Sequence, residues 1–383
     1  MARVDNQGHL CTRVGDHILD LNAVASVGLF ERAHVALLTA PTLNPLMAAG
    51  RHVWQSVRQR LIELLSNRQH SAEICKHLLP ADAGLLLLPF DVADYVDFYS
   101  SEQHAKNVSD IFGPDAPYLP EHWRHMPIAY HGRAGTVVPS GTPIRRPRGQ
   151  RRLKDASLPT HGPSRRLDIE AEVGFVVGTP SVLGEPVGGE SFADHVFGAL
   201  LVNDWSARDL QAWESVPLGP FLGKSFATSI SPWIVPLDAL QAARKPIRTQ
   251  SPAVLPYLHD TESWCLDLTL EIRLNGSLIS KPPFATHYWS PGQQLAHLTV
   301  NGACLRTGDL YASGTVTGAG RHERGSLLEL SWGGREPLTL DDGTERTFLE
   351  DGDIVSISAS APDNVGGRLD MGEVIGRVVP SDG

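Results

Sequence analysis

Two carboxylates spaced two residues apart are the first sign of chemistry in this chain. In LDIEAEVGFVVG, residues 167–178, the apolar Leu167, Ile169, Ala171, Val173, Phe175 and Val177 alternate with Asp168, Glu170 and Glu172. Strand side chains alternate faces, so Glu170 and Glu172 project the same way and repel each other unless positive charge lies between them. Four other polar clusters interrupt the apolar pattern: DYVDFYSSEQHAKN (94–107), YHGRAG (130–135), NDWSARDLQAW (203–213) and PLGPFLGKSFATS (217–229). Together they offer acidic oxygens, an isolated histidine and spaced cationic donors. Hard divalent ions such as Ca²⁺ and Mg²⁺ take oxygen ligands of this sort, whereas zinc prefers His and Cys. A hard cation is therefore one candidate partner for the paired glutamates.

Plainer readings stand beside it. Acidic residues on the outer face of a strand are commonly solvated, His104 alone reads as a surface or capped histidine, and Lys224 sits in a Gly- and Pro-rich loop. Asp204 fits a helix cap as well as a ligand. Glu329 alternates with Leu328 and Leu330 in SLLELSW, and a strand carboxylate facing inward needs a partner that spacing alone does not name.

These residues must be positioned by a largely β framework. From LLLLPF onward, Gly and Pro punctuate short β-type runs: TVVPSGTPI, the 167–178 strand, WCLDLTLEIRLNG and GDIVSISAS. The run from Trp264 alternates through Leu266, Leu268, Leu270, Ile272 and Leu274 and ends at Asn275-Gly276, a hairpin signal. Residues 1 to about 90 contain one clear helix, VWQSVRQRLIELLSNRQ from Val53, with Val53, Val57, Leu61, Leu64 and Leu65 on one face. A second helix is expected in NDWSARDLQAWESV, with Asn203 or Asp204 as its cap. The basic, turn-rich segment from Gln150 to Asp168 reads as a surface loop.

The chain has 383 residues and a formal net charge of -10. That length allows roughly two or three domains, and interleaved charges of net negative sign argue against nucleic acid or an acidic membrane as the main partner. The four cysteines, Cys11, Cys75, Cys265 and Cys304, lack CxxC spacing and suggest reduced thiols in a cytoplasm. Arg3 and Asp5 fall where a signal peptide would begin its apolar run, and no stretch approaches the roughly 18 apolar residues of a membrane span. The expectation is a cytoplasmic protein.

At its polar clusters the sequence resembles the fumarylacetoacetase family, whose members split fumarylacetoacetate into fumarate and acetoacetate at the end of tyrosine and phenylalanine degradation. The resemblance rests on DFYSSEQHA, YHGRAGTVVPSGTPIRRPRGQ, NDWSARD, WESVPLGPFLGKSFATSISPW, YASGTVTG and LLELSW. It spans nearly the whole chain. It implies a mainly β (α+β) fold, with an N-terminal SH3-like barrel over 1–90 and a C-terminal mixed β-roll over 91–383, assembled as a homodimer. It also implies Ca²⁺ or Mg²⁺ held by Asp97, Glu170, Glu172 and Asp204, with Lys224 and Thr228 at positions associated with a further magnesium.

By the same resemblance His104 is the general base that activates water, oriented by Glu329 as a carboxylate orients histidine in a hydrolytic triad. Arg208, Gln211 and Lys224 are the donors for the tetrahedral oxygen. Tyr99, Tyr130, Gln211 and Thr315 contact a small β-diketone acid, whose carbonyls the metal polarises. Two positions depart from the family pattern: Gly113 stands where an arginine is expected and Ser215 where a tyrosine is expected. Arg124, Arg133 or a loop arginine could supply the missing charge. The departures favour, as an alternative, a related acylpyruvate or β-diketone hydrolase. A non-enzymatic metal-binding protein is the reading from a different class.

Overall fold

The computed structural model describes residues 2–4, 8–82, 84–113, 119–152, 156–259 and 263–382. It is a mixed α+β structure dominated by sheet. Near the N-terminus, five strands pair antiparallel in the order 78–80, 17–20, 9–14, 2–4, 86–87. The helix expected from Val53 runs from Arg51 to Ser66 and buries Trp54, Val57, Leu61 and Leu64. Leu65 is exposed and Val53 only half-buried; the wide Trp54 ring takes the central place on that face, with its indole N–H donating to the carbonyls of Leu46 and Met47.

The central sheet positions the chemistry. Its order is 129–131, 95–98, 310–312, 171–177, 196–204, 228–230, 137–139, with the short strand 235–236 also paired to 196–204. The pair of strands Ala171–Val177 and Val196–Asp204 is buried along its whole length. Alternation explains how one apolar run serves two cores. Val173, Phe175 and Val177 join one cluster with Ala199 and Leu201, while Val176, Leu200 and Val202 join the N-terminal residues Trp54, Val57 and Leu64 in another. The strand expected over 167–178 is broken: Leu167–Asp168 pairs with Ser206–Ala207, and Ile169-Glu170 bridges to the longer strand.

A third sheet runs 277–280, 269–274, 354–362, 368–379, 144–145. The Asn275-Gly276 hairpin forms as expected, both residues having positive φ, 50° and 86°. Such angles suit a type I′ turn and the Asn-Gly pair tolerates them.

Three local expectations are corrected. Asn203 and Asp204 do not cap a helix; they end the strand Val196–Asp204, and the helix covers only Arg208–Glu214. The apolar run that precedes them continues the sheet, and tertiary burial overrides the capping propensity. Glu329 lies in a short helix, Leu327–Leu330, capped by Ser326, not in a strand; four residues of apolar alternation do not separate the two. Within the surface loop expected over 150–168, strands Arg148–Arg151 and Thr160–Pro163 pair antiparallel, and residues 153–155 lie outside the described residues.

Candidate active site

Sheet register assembles the site. Asp97 lies opposite Tyr130 and beside Ala312, Glu172 opposite Val202, and Asp204 opposite Thr228. Five strands of the sheet therefore present polar side chains across one end, with Ala312 of the strand 310–312 between Asp97 and the 171–177 strand. Asp97, Glu170, Glu172 and Asp204 come together there, each offering an oxygen within 4.8 Å of the others, and all four are buried. They are not the solvated acids that an outer strand face would carry.

Two cations enter this cluster. The Lys224 ammonium donates to Glu170 and, at 2.6 Å, to Asp204. Arg208 reaches Glu170 at 2.7 Å and Asp168 at 2.8 Å. Burial pushes Glu170 upward, but Lys224, Arg208 and His104 outweigh it and hold the carboxyl well below its usual range. For Lys224 burial acts downward, and Asp204 and Glu170 reverse it and raise the ammonium. Asp97 and Glu172 are pushed well up, first by burial and then by neighbouring carboxylates; the Lys224 charge acts downward on both but is outweighed. Among the described residues, Asp97 Oδ1 and both Glu172 oxygens are buried without a hydrogen-bond partner.

An unpaired buried carboxylate costs several kcal/mol, and two beside a preformed acidic cluster are the donor set of a hard divalent ion. The residues fit such a metal. Lys224 fits less well as a ligand, because an ammonium has no lone pair; it is a counter-charge. Thr228 Oγ1 donates to Asp204 Oδ1 at 3.3 Å and supports that carboxylate.

His104 stands over the cluster on the first turn of the helix Glu102–Phe112, whose cap Ser101 accepts from the His104 backbone N–H. Its Nδ1 is 2.8 Å from Glu329 Oε2, while Nε2 faces Glu170 Oε1 at 4.0 Å. Burial raises Glu329, yet the His104 charge and bonds from His104, Asn107 and Ser326 bring it below the usual range. An ionised carboxylate only accepts, so Nδ1 carries a proton, and Nε2 is the ring nitrogen that faces the acidic cluster. Asn107 Nδ2 donates to Glu329 at 2.9 Å, Thr317 Oγ1 at 3.1 Å and Ser326 Oγ at 2.8 Å.

A cavity of about 560 Å³ opens onto this centre, and its wall includes Tyr99, His104, Tyr130, Arg208, Gln211 and Thr315. Tyr130 donates to Asp204 at 2.8 Å, and the Tyr99 ring meets His104 edge-on at 5.3 Å between centroids. Thr315 is positioned by Gly314, whose φ is +80° and where an added Cβ would lie 2.2 Å from the Phe98 carbonyl oxygen. Two donors in this wall are uncommitted: Arg208 Nη2 and Thr315 Oγ1 are buried without a hydrogen-bond partner. Gln211 accepts from Arg208 Nη1 at 3.2 Å through its carbonyl oxygen, which leaves its amide N–H groups for a ligand.

The candidate catalytic, substrate-contact and metal-holding residues thus meet at one end of the sheet, while Arg124, which pairs with Glu102, does not line the cavity. A family model described as "Fumarylacetoacetase N-terminal" matches residues 2–89, and one described as "Fumarylacetoacetate (FAA) hydrolase C-terminal" matches residues 94–379. The chain belongs to the fumarylacetoacetase family. It is 43% identical to the fumarylacetoacetase of Homo sapiens over 99% of this chain and 94% of that one. With the Arabidopsis thaliana fumarylacetoacetase the identity is 45%, over 96% and 90%. A solved fumarylacetoacetate hydrolase from Exiguobacterium antarcticum shares the fold, with a TM-score of 0.56 and 17% identity over 99% and 98% of the chains.

Sequence reasoning missed Asp168. Its carboxylate accepts from Arg208 Nε and from the backbone N–H groups of Leu327 at 2.7 Å and Leu328 at 3.0 Å. It therefore ties the arginine to the short helix that carries Glu329. Asp168 was visible as the third acid of the 167–178 alternation, but its partners are about 40 and 160 residues away in sequence and left no local signal. Asn107 had one: it follows His104 by three residues, on the same helix face.

Proposed function

We propose that this fumarylacetoacetase-family chain is the metal-dependent hydrolase that cleaves the carbon–carbon bond of 4-fumarylacetoacetate to fumarate and acetoacetate. The observation that carries the reading is the His104–Glu329 pair, its free Nε2 aimed at a buried carboxylate cluster on the floor of a cavity. Water at neutral pH is too weak to attack the ketone. His104 Nε2 takes its proton, and Glu329, ionised and held by Asn107, Thr317 and Ser326, stabilises the imidazolium that results. Charge growing on the attacked oxygen is met by Arg208 Nη2, by the Gln211 amide and by Lys224; removing one such donor typically costs about 10²- to 10³-fold in rate. Tyr99, Tyr130 and Thr315 orient the substrate. A divalent cation held by Asp97, Glu170, Glu172 and Asp204 supplies Lewis-acid polarisation of the diketone and stabilises charge on the departing carbon fragment.

We take the metal as Ca²⁺ or Mg²⁺ on the strength of the all-oxygen donor set. The unit over 1–90 is read as an SH3-like barrel and that over 91–383 as the catalytic β-roll, working as a cytoplasmic homodimer. Family membership supports these finer points. Among the described residues no helix is long and apolar enough to cross a membrane.

A second reading, hydrolysis of another acylpyruvate or β-diketone, draws on two residues. Gly113 ends the His104 helix with no side chain, and Ser215 lines the cavity with its hydroxyl turned to the Gln211 carbonyl. Incubating purified protein with fumarylacetoacetate tests the two. The proposal expects loss of substrate ultraviolet absorbance with one fumarate and one acetoacetate per molecule consumed. Inertness toward it together with turnover of acylpyruvates would transfer the assignment to the second reading.

A further inference from the structure

Hydrolysis to fumarate, a diacid, and acetoacetate, a monoacid, creates one new carboxylate, so the substrate carries a carboxylate at each end of its diketone. The cations at the reaction centre are already ion-paired with buried carboxylates. Arg208 pairs with Asp168 and Glu170, and Lys224 with Glu170 and Asp204. Arg124, one of the replacements considered for the arginine missing at Gly113, pairs with Glu102 and is absent from the cavity wall. Among the described residues a Cβ added at Gly113 would meet nothing within 4 Å.

A second cavity of about 290 Å³ adjoins the first and shares Tyr130, Pro220 and Lys224 with it; His131, Arg133 and Phe221 complete its working wall. Arg133 is exposed and makes no ion pair among the described residues, while His131 pairs with Asp94 at 3.5 Å. The Arg133 guanidinium lies 5.8 Å from the centre of the Phe221 ring, a contact that restrains the side chain at the cavity. Its backbone is held on both sides. The Gly132 N–H donates to the Tyr95 carbonyl at 2.9 Å, an approach that a Cβ would block by coming within 2.2 Å of the Tyr95 ring. The Thr136 hydroxyl donates to the Ser225 carbonyl at 2.8 Å, joining this turn to the segment that carries Lys224.

We propose that Arg133 is a specificity-determining residue that clamps one terminal carboxylate of the diacid substrate in this side cavity, an inference that rests on the functional reading above. A guanidinium presents paired N–H donors that match a carboxylate. A molecule anchored there passes Tyr130 and Lys224 on its way to the acidic cluster, so the side cavity sets which part of the diketone reaches His104.

The test uses the full-length enzyme, metal-loaded, as wild type, Arg133→Gln and Arg133→Lys. With fumarylacetoacetate, Arg133→Gln is expected to raise KM about 10- to 100-fold, the range for losing a hydrogen-bonded charge contact, and to raise it more than kcat falls. The inhibition constant of one product, fumarate or acetoacetate, should rise in step, identifying the clamped end, and Arg133→Lys should recover part of the loss. Because Arg133 is exposed, the melting temperature should stay put, which separates a binding defect from misfolding. KM and both inhibition constants within twofold of wild type would overturn the clamp while leaving the hydrolase reading intact. A wild-type enzyme inert toward fumarylacetoacetate would remove the functional reading itself, and the clamp with it.

Discussion

At the level of single residues, the site depends on which groups have partners and which do not. Glu329 receives four donors and stays ionised, so in the proposed mechanism it fixes the His104 tautomer and leaves Nε2 to act as the base. His104→Ala should lower kcat by about 10²- to 10⁴-fold, the usual scale of general base catalysis, with metal content unchanged; a variant within threefold of wild type in steady-state assays would remove His104 from the mechanism. Glu329→Gln keeps the shape and loses the charge. It should approach the His104→Ala rate without altering metal content, which elemental analysis alongside kinetics would check. His104, Glu170 and Glu172 were legible as candidates in the sequence because they lie in long, distinctive motifs that resemble the family's. The His104–Glu329 pairing was implied by the family resemblance alone, because 225 residues separate the two and spacing carries no sign of it.

Among the elements, the short helix Leu327–Leu330 is the least self-sufficient. A four-residue helix has little stability of its own, and it is Asp168, accepting from Leu327 and Leu328 N–H, that holds its start against the sheet. Burial raises the Asp168 carboxyl, and Arg208 opposes that rise. Asp168→Ala leaves a buried arginine short of a partner and frees the helix start, so it should destabilise the protein by about 3 to 5 kcal/mol in urea titration and depress turnover as Glu329 drifts. A stability within about 0.5 kcal/mol of wild type would contradict this role. The same helix shows where local reading ends: Leu-Glu-Leu alternation suits a strand, and only Ser326 and Asp168 together select the turn. In the run from Trp264, by contrast, alternation and Asn-Gly agreed and the hairpin formed, although the run breaks at 267–268 into strands Trp264–Leu266 and Thr269–Leu274, which pair in different sheets. Asp204 misled for the opposite reason, since its capping chemistry was overridden by a strand buried on both faces.

For the whole molecule, the central sheet bridges two cores and gathers its acids at one end, so stability and function are linked there. A separate lever on stability is His287, buried behind the site, where burial lowers its pKa to about 4 from an ordinary 6.5. The unfolded chain takes up this proton near 6.5 and the folded chain only near 4. Stability should therefore be intact above 6.5 and decline as pH falls across that window, by about 3 kcal/mol from this group. His287→Gln should flatten the pH dependence of the melting temperature between 7 and 4; an unchanged slope would exclude His287 as its source. The mixed α+β class was legible from Gly- and Pro-punctuated alternation, but the shared core was not, since no periodicity reports which face of a sheet a distant helix covers. The most direct test of the account is to strip the protein with chelator, measure bound metal and turnover of fumarylacetoacetate, then titrate in Mg²⁺ or Ca²⁺. We expect activity to vanish on stripping and to return in step with one divalent ion bound per acidic cluster, and Glu172→Gln to weaken that binding at least tenfold. Full turnover by metal-free protein would contradict the account.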